Sequence, residues 1–172
     1  MKKYLLLSLF TLALTPIFAQ SPLGRGGSQF NAGVGLSGYG IPVFVGFDYG
    51  IHEDVTIGGD VTFRTWRDRY SGYTWRYTGI GVSVNGNYHF NTLLNIPQQW
   101  DFYAGLNLGF YFWNVNEPND FPGRYDEPLA SGVGLGAQIG GRYYFTDRFG
   151  LLLELNGGTG LTGCKFGISY KL

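Results

Sequence analysis

From Gln29 to the last residue, apolar side chains alternate with polar or small ones at a period of two. No stretch of the chain after its first twenty residues sustains a 3.6-residue period. A period of two means extended strands whose two faces meet different surroundings, which excludes helical bundles and βαβ architectures. In the first segment Phe30, Ala32, Val34 and Leu36 alternate with Gln29, Asn31, Gly33 and Gly35. The pattern predicts eight strands, over about 29–36, 41–51, 55–64, 77–90, 102–113, 133–145, 149–156 and 164–172. Short turns are expected at 52–54 and 146–148, and long loops at 65–73 and 114–130. The connection 91–99 is long for a turn, and those near 39 and 159 are short.

Strands of about ten residues match the span of a tilted strand across a bilayer, and an even number puts both termini at one end. The expected fold class is therefore all-β, an eight-stranded antiparallel up-and-down transmembrane β-barrel. A water-soluble barrel would turn its apolar parity inward. The positions of the aromatics decide against that. On the apolar parity, Phe30, Tyr49, Tyr88, Phe90, Phe102, Tyr143, Phe145, Phe149 and Tyr170 all fall at the strand ends shared with the termini, the periplasmic end of such a barrel. Rings at that depth meet hydrocarbon on one side and water on the other, whereas a soluble core has no reason to gather them at one rim.

Residues 1–19 read as an export signal: Lys2 and Lys3 precede an apolar run too short to span comfortably as a helix, and Ala19 is the expected last residue removed, although Ile17 makes the A-x-A pattern imperfect. Residues 20–172 are then one barrel domain, with Ser21 to Gly27 as a flexible leader. The 29 glycines beside 18% aromatic residues depart from ordinary soluble composition and suit a narrow barrel whose inward rings need small neighbours. Formal net charge is zero, which excludes a nucleic-acid binder of the usual basic kind. Cys164, the one cysteine, can form no intrachain disulfide.

Chemistry-bearing motifs are few. Gly33-Val34-Gly35-Leu36-Ser37-Gly38 matches G-x-G-x-x-G, but no helix follows it, so a dinucleotide site is excluded. His52 and His89 fall at the periplasmic end, the wrong rim for a base acting on outer-leaflet lipid. No catalytic residue, metal or cofactor is expected. Inward parity gathers Asp48, Asp60 and Glu154 with Arg64, Arg142, Lys165 and Lys171 into an expected interior ion network, since unpaired charge in a dry interior is costly. Arg142 is diagonal to Glu154 if the strands reflect about residue 147, and Asp48 and Asp60 come together if they reflect about residue 53, where Arg64, Lys171 or a metal could neutralise them. The first long loop combines Arg64, Arg67, Arg69 and Arg76 with Trp66, Tyr70, Tyr73 and Trp75, a candidate docking surface for phosphates or sugars. The second carries Glu117, Asp120, Asp126 and Glu127.

The closing run Lys165-Phe166-Gly167-Ile168-Ser169-Tyr170-Lys171-Leu172 resembles the insertion signal of outer-membrane barrels through Gly167, Tyr170 and the terminal apolar Leu172, which replaces the usual aromatic. With Tyr88-His89-Phe90 and Arg142-Tyr143-Tyr144-Phe145-Thr146-Asp147-Arg148-Phe149-Gly150, residues 28–172 resemble the small outer-membrane β-barrel family that includes OmpA-like and OmpX-like barrels, in a style frequent in Bacteroidetes. The resemblance implies residence in a Gram-negative outer membrane, contact with its lipid and lipopolysaccharide, and assembly by the barrel insertion machinery. It names no ligand, because barrels of this size host unrelated functions. The expected role is structural or surface interaction, without turnover and with a plugged interior. A narrow or gated pore, a lipid-modifying enzyme and an accessory subunit of an envelope complex are the alternatives.

Overall fold

A computed structural model describes residues 21–38, 40–70, 73–116, 131–159 and 162–172. Eight antiparallel strands close in chain order into one barrel: β1 (Ser28–Leu36), β2 (Val43–His52), β3 (Val55–Tyr70), β4 (Tyr73–His89), β5 (Trp100–Asn116), β6 (Gly132–Tyr144), β7 (Phe149–Gly158) and β8 (Gly163–Lys171). Closure is completed by β1 against β8, from Gln29 opposite Lys171 to Leu36 opposite Cys164. Closing the sheet removes its edges, so every strand finds backbone partners on both sides.

The alternation places its apolar set outside. Leu106, Leu135 and Leu153 are 72%, 65% and 54% exposed, while Glu154 is 6% exposed and faces the lumen. An apolar exterior of this extent would not stay dispersed in water, and it makes the fold a transmembrane barrel. The belt ends on one register line, Phe63 opposite Ile80 and Ile80 opposite Phe112. From Phe102 to Phe112 it rises roughly 25 Å at about 3.3 Å per residue and a tilt near 40°. At the end shared with the termini, rings form a girdle: Trp100 lies 4.6 Å from Tyr143, Tyr88 5.3 Å from Phe90, and Phe149 5.3 Å from Phe145 and 6.4 Å from Tyr170. Trp100 joins the aromatics expected at that rim.

Residues 114–116, expected as loop, continue β5, and two larger segments also differ from expectation. Residues 65–70 and 73–76, expected as loop, are strand: β3 and β4 stay paired from Val55 opposite Tyr88 to Tyr70 opposite Tyr73. Their alternation fades beyond the belt because both faces of a projecting hairpin meet polar surroundings, so periodicity no longer marks a strand whose backbone pairing persists. The leader 21–27 is ordered across the mouth at the terminal end. Gly26 N–H donates to the Gly50 carbonyl at 2.8 Å, Gly50 N–H to that of Gly27 at 2.9 Å, and Lys171 Nζ to that of Pro22 at 3.4 Å. Gly50 permits this approach, since a Cβ there would collide with the Gly24 carbonyl oxygen. The long connection between β4 and β5 contains a single helical turn, α1 (Asn91–Leu94), closed by Asn95 at φ 52° and tied by Asn91 Nδ2 donating to the Trp100 carbonyl at 2.6 Å.

Candidate functional site

The lumen is crossed by side chains rather than lined by them. Arg142, on β6, donates through NH2 to Asp48 on β2 at 2.7 Å and through NH1 to Asp101 on β5 at 2.9 Å. In an eight-strand ring β6 and β2 lie diametrically opposite, so this one guanidinium spans the interior. Its plane covers the Tyr103 ring, 4.4 Å from the centroid. Asp48 also accepts from Gln29 and Asn31, both at 2.9 Å. Tyr144 donates to Gln29 and Ser169 to Asn31, both at 2.6 Å. On the other side His89 Nδ1 is hydrogen-bonded to Asp101 at 2.6 Å, and its Nε2 to Thr56 at 3.0 Å. One step along the axis, Lys165 bridges Asp60 at 3.1 Å and Glu154 at 3.3 Å, and Glu154 accepts from Tyr103 at 2.6 Å. Gln138 links Asn87 and Asn107 in the same layer.

This network corrects the expected pairings. Arg142 meets Asp48 and Asp101, and Glu154 meets Lys165 instead. Asp48 stands opposite Gly58 and Asp60 opposite Gly46, so the two carboxylates are offset and each takes its own cation. Arg64 and Lys171 neutralise neither. Arg64 donates to Ser37 Oγ at 3.0 Å and lies 5.4 Å from the Trp113 ring, while Lys171 lies over Tyr144 at 4.2 Å. Asp101 was the missed member. It shares the parity of Tyr103 and sits directly opposite Arg142, but a strand read as starting at Phe102 omits it. Among the described residues no group of three His, Cys, Asp or Glu could hold a metal.

The glycines provide the room. A Cβ on Gly140 would enter the Tyr103 ring, and one on Gly79 the Trp113 ring. Each ring lies over a bare stretch of neighbouring strand, which is how large side chains fit a narrow barrel.

At the opposite end the hairpin of β3 and β4 rises past the belt, with strands of 16 and 17 residues where 9 to 11 suffice to cross hydrocarbon. Parity divides the expected docking surface into two faces. Arg67 and Arg76 stand directly opposite one another and share the outward face with Arg69, all three exposed. They follow Thr65 and Thr78 beyond the Phe63 and Ile80 line, placing Arg67 and Arg76 roughly 10 Å above the belt. Trp66, Trp75 and Tyr77 face inward. Trp66 stacks on Tyr77 at 4.6 Å and 6°, with Trp113 edge-on at 5.6 Å. Trp75 is fully buried and Tyr77 nearly so, which removes Trp75 from any exposed docking surface. Tyr70 and Tyr73 pair across the hairpin tip. Glu117, Asp120, Asp126, Glu127 and Ala19 lie outside the described residues. Gly167, Tyr170 and Leu172 close β8, with Tyr170 outward in the aromatic girdle.

No family model and no curated protein matches the sequence. Solved structures share the fold. The outer membrane protein OprG of Pseudomonas aeruginosa superposes with a TM-score of 0.66 at 9% identity, covering 87% of this chain and 97% of that one. The N-terminal β-barrel domain of OprF from the same organism gives 0.62 at 20% identity over 87% and 99%. Ail, the attachment invasion locus protein of Yersinia pestis, in complex with the heparin analogue sucrose octasulfate, gives 0.54 at 12% identity over 86% and 99%. The chain thus has the fold of small eight-stranded barrels of Gram-negative outer membranes.

Proposed function

We propose that the protein is a non-enzymatic integral barrel of a Gram-negative outer membrane that works through its surface, docking phosphate-bearing lipopolysaccharide on the outward face of the β3–β4 hairpin. The observation that carries this reading is the register of that face. Arg67 opposes Arg76 with Arg69 beside them, above the apolar belt, and none of the three has an ion-pair partner among the described residues. Like charges placed opposite one another repel unless an anion lies between them, and guanidinium forks fit phosphate oxygens. The aromatic girdle and termini then face the periplasm, and the insertion machinery assembles the barrel through its closing strand. Residues 1–19 are removed as a signal. The crossing side chains argue for a plugged interior without steady conductance. His89, enclosed between Thr56 and Asp101 at the terminal end, is far from any outer-leaflet substrate, which supports an absence of turnover.

Binding is tested with the refolded barrel, using lipopolysaccharide, the same material after phosphatase treatment, and sucrose octasulfate, the polyanion bound by Ail. Replacing Arg67 and Arg69 together by Ala should weaken binding at least tenfold at low salt and leave the heat-modifiable gel mobility intact. Equal binding by the double variant, or by dephosphorylated lipopolysaccharide, would remove the hairpin from the function. A large stable conductance in planar bilayers would favour the pore instead.

A further inference from the structure

Arg64, like Lys171 at the other end, is a lumenal cation without a carboxylate partner among the described residues. It is 4% exposed, and its one hydrogen bond among the described residues goes to Ser37 Oγ. Arg142 and Lys165 each contact two carboxylates, whereas none lies within ion-pairing distance of Arg64 among the described residues. A guanidinium has five N–H donors, and burying its charge without a counter-charge is costly. Beside it lies a cavity of about 20 Å³, bounded by Ser37, Thr62, Asn156, Thr162 and the Lys165 side chain over Phe44. Ser37 and Thr162 donate their hydroxyl protons to the Gly40 and Gly158 carbonyls, which leaves Arg64, Thr62 and Asn156 as donors toward the cavity, and among the described residues no carboxylate borders it.

We propose that this cavity is a binding site for one small monovalent anion of the halide class, held by Arg64 with Thr62 and Asn156. Size and field select the ligand. The volume holds one small species, and the field, more than the volume, discriminates against phosphate and sulfate. Lys165 lies between Asp60 and Glu154, so it adds little net attraction, and the two carboxylates behind it repel multiply charged anions. The affinity therefore rests on Arg64 and falls in the millimolar range. Ser37, Pro42 and Thr162 border the cavity from connections at the hairpin end, while the Lys165 bridges close its floor, so the anion exchanges at that mouth without crossing the barrel. The site is independent of the hairpin arginines, which face the other side of the wall.

The test uses the full barrel in micelles at constant ionic strength, replacing sodium gluconate by sodium chloride. The Trp113 indole and Arg64 side-chain N–H resonances should shift with millimolar saturation, and Arg64→Gln should abolish that saturation while retaining heat-modifiable mobility. Thr62→Val should weaken it severalfold. Crystals of the unaltered protein soaked in bromide should show anomalous density beside Arg64, a measurement that stands even where the Gln variant does not fold. Shifts that grow linearly to molar chloride, saturation that survives in Arg64→Gln, bromide absent from the cavity, or sulfate saturating at equal concentration would each overturn the assignment.

Discussion

The two halves of the lumen are built on different principles. Toward the termini, Arg142 is held from both sides by Asp48 and Asp101, Gln29 and Asn31 converge on the same Asp48 oxygen, His89 takes the second oxygen of Asp101, and the ordered leader lies across the mouth. Toward the hairpin, the interior holds the Trp66–Tyr77 stack, Trp113 edge-on, and Arg64 with a single hydroxyl partner among the described residues. A buried network this densely paired resists change even with Arg142 Nε left without a hydrogen-bond partner, because removing one member leaves charges stranded. A half held by ring packing can change its contacts at little cost to the wall. The paired charges that hold the barrel are thus concentrated at the terminal end, and the proposed recognition surface lies at the hairpin end, as where binding groups ride on a rigid scaffold.

The largest expected effect tests that division directly. Arg142→Met leaves Asp48 and Asp101 facing each other without their shared cation, and should destabilise the folded barrel by about 3–5 kcal/mol in urea titrations in bilayers. Arg64→Met removes one hydrogen bond to a hydroxyl and should cost about 0.5–1.5 kcal/mol. Equal losses would mean that the two halves carry the fold alike.

Glycines sharpen the same contrast at smaller amplitude. The Tyr103 ring above Gly140 is pinned by its hydroxyl on Glu154 and by the Arg142 plane, so Gly140→Ala should cost about 1–3 kcal/mol. The Trp113 ring above Gly79 is only part-buried and can yield, so Gly79→Ala should stay within about 1 kcal/mol, partly offset by the better strand propensity of Ala. Urea midpoints of the two variants, measured side by side, give the answer. A greater loss at Gly79 would make the hairpin half the tighter one.

Much of this was legible in the sequence because membrane and lumen impose opposite chemistry on alternate residues. Leu106 outside and Glu154 inside follow from parity alone, as do eight strands and the aromatic rim. Pairing partners were less legible. Arg142 reaches Asp48 across 94 positions of sequence, and reflection about turns informs only adjacent strands. The hairpin was read as a loop because Arg67, Asp68 and Arg69 break the apolar alternation where the belt ends, although the backbone ladder continues. Its residue types pointed to docking, but only the register separates outward guanidiniums from inward rings.

The smallest effect bears on the recognition side of the comparison. Arg67 faces Arg76 directly across the strand pair, and Arg69 lies on the same face, so without an anion this face works against its own hairpin. Arg67→Glu exchanges a repulsive cross-strand pair for an attractive one, worth about 0.2–0.5 kcal/mol at low salt because the groups are exposed and screened. In detergent without polyanion, hydrogen exchange at the Arg69 and Thr74 amides should therefore slow slightly. Lipopolysaccharide binding should weaken in the same variant, since a carboxylate now points at the phosphates. Both changes should shrink together as salt is raised to about 0.5 M, where the Debye length falls to a few ångströms. A stabilised hairpin that binds less well is what a face shaped for a ligand gives. If Arg67→Glu instead loosens the hairpin, the arginines are held by contacts within the fold, and the outward face is part of the scaffold rather than its recognition surface.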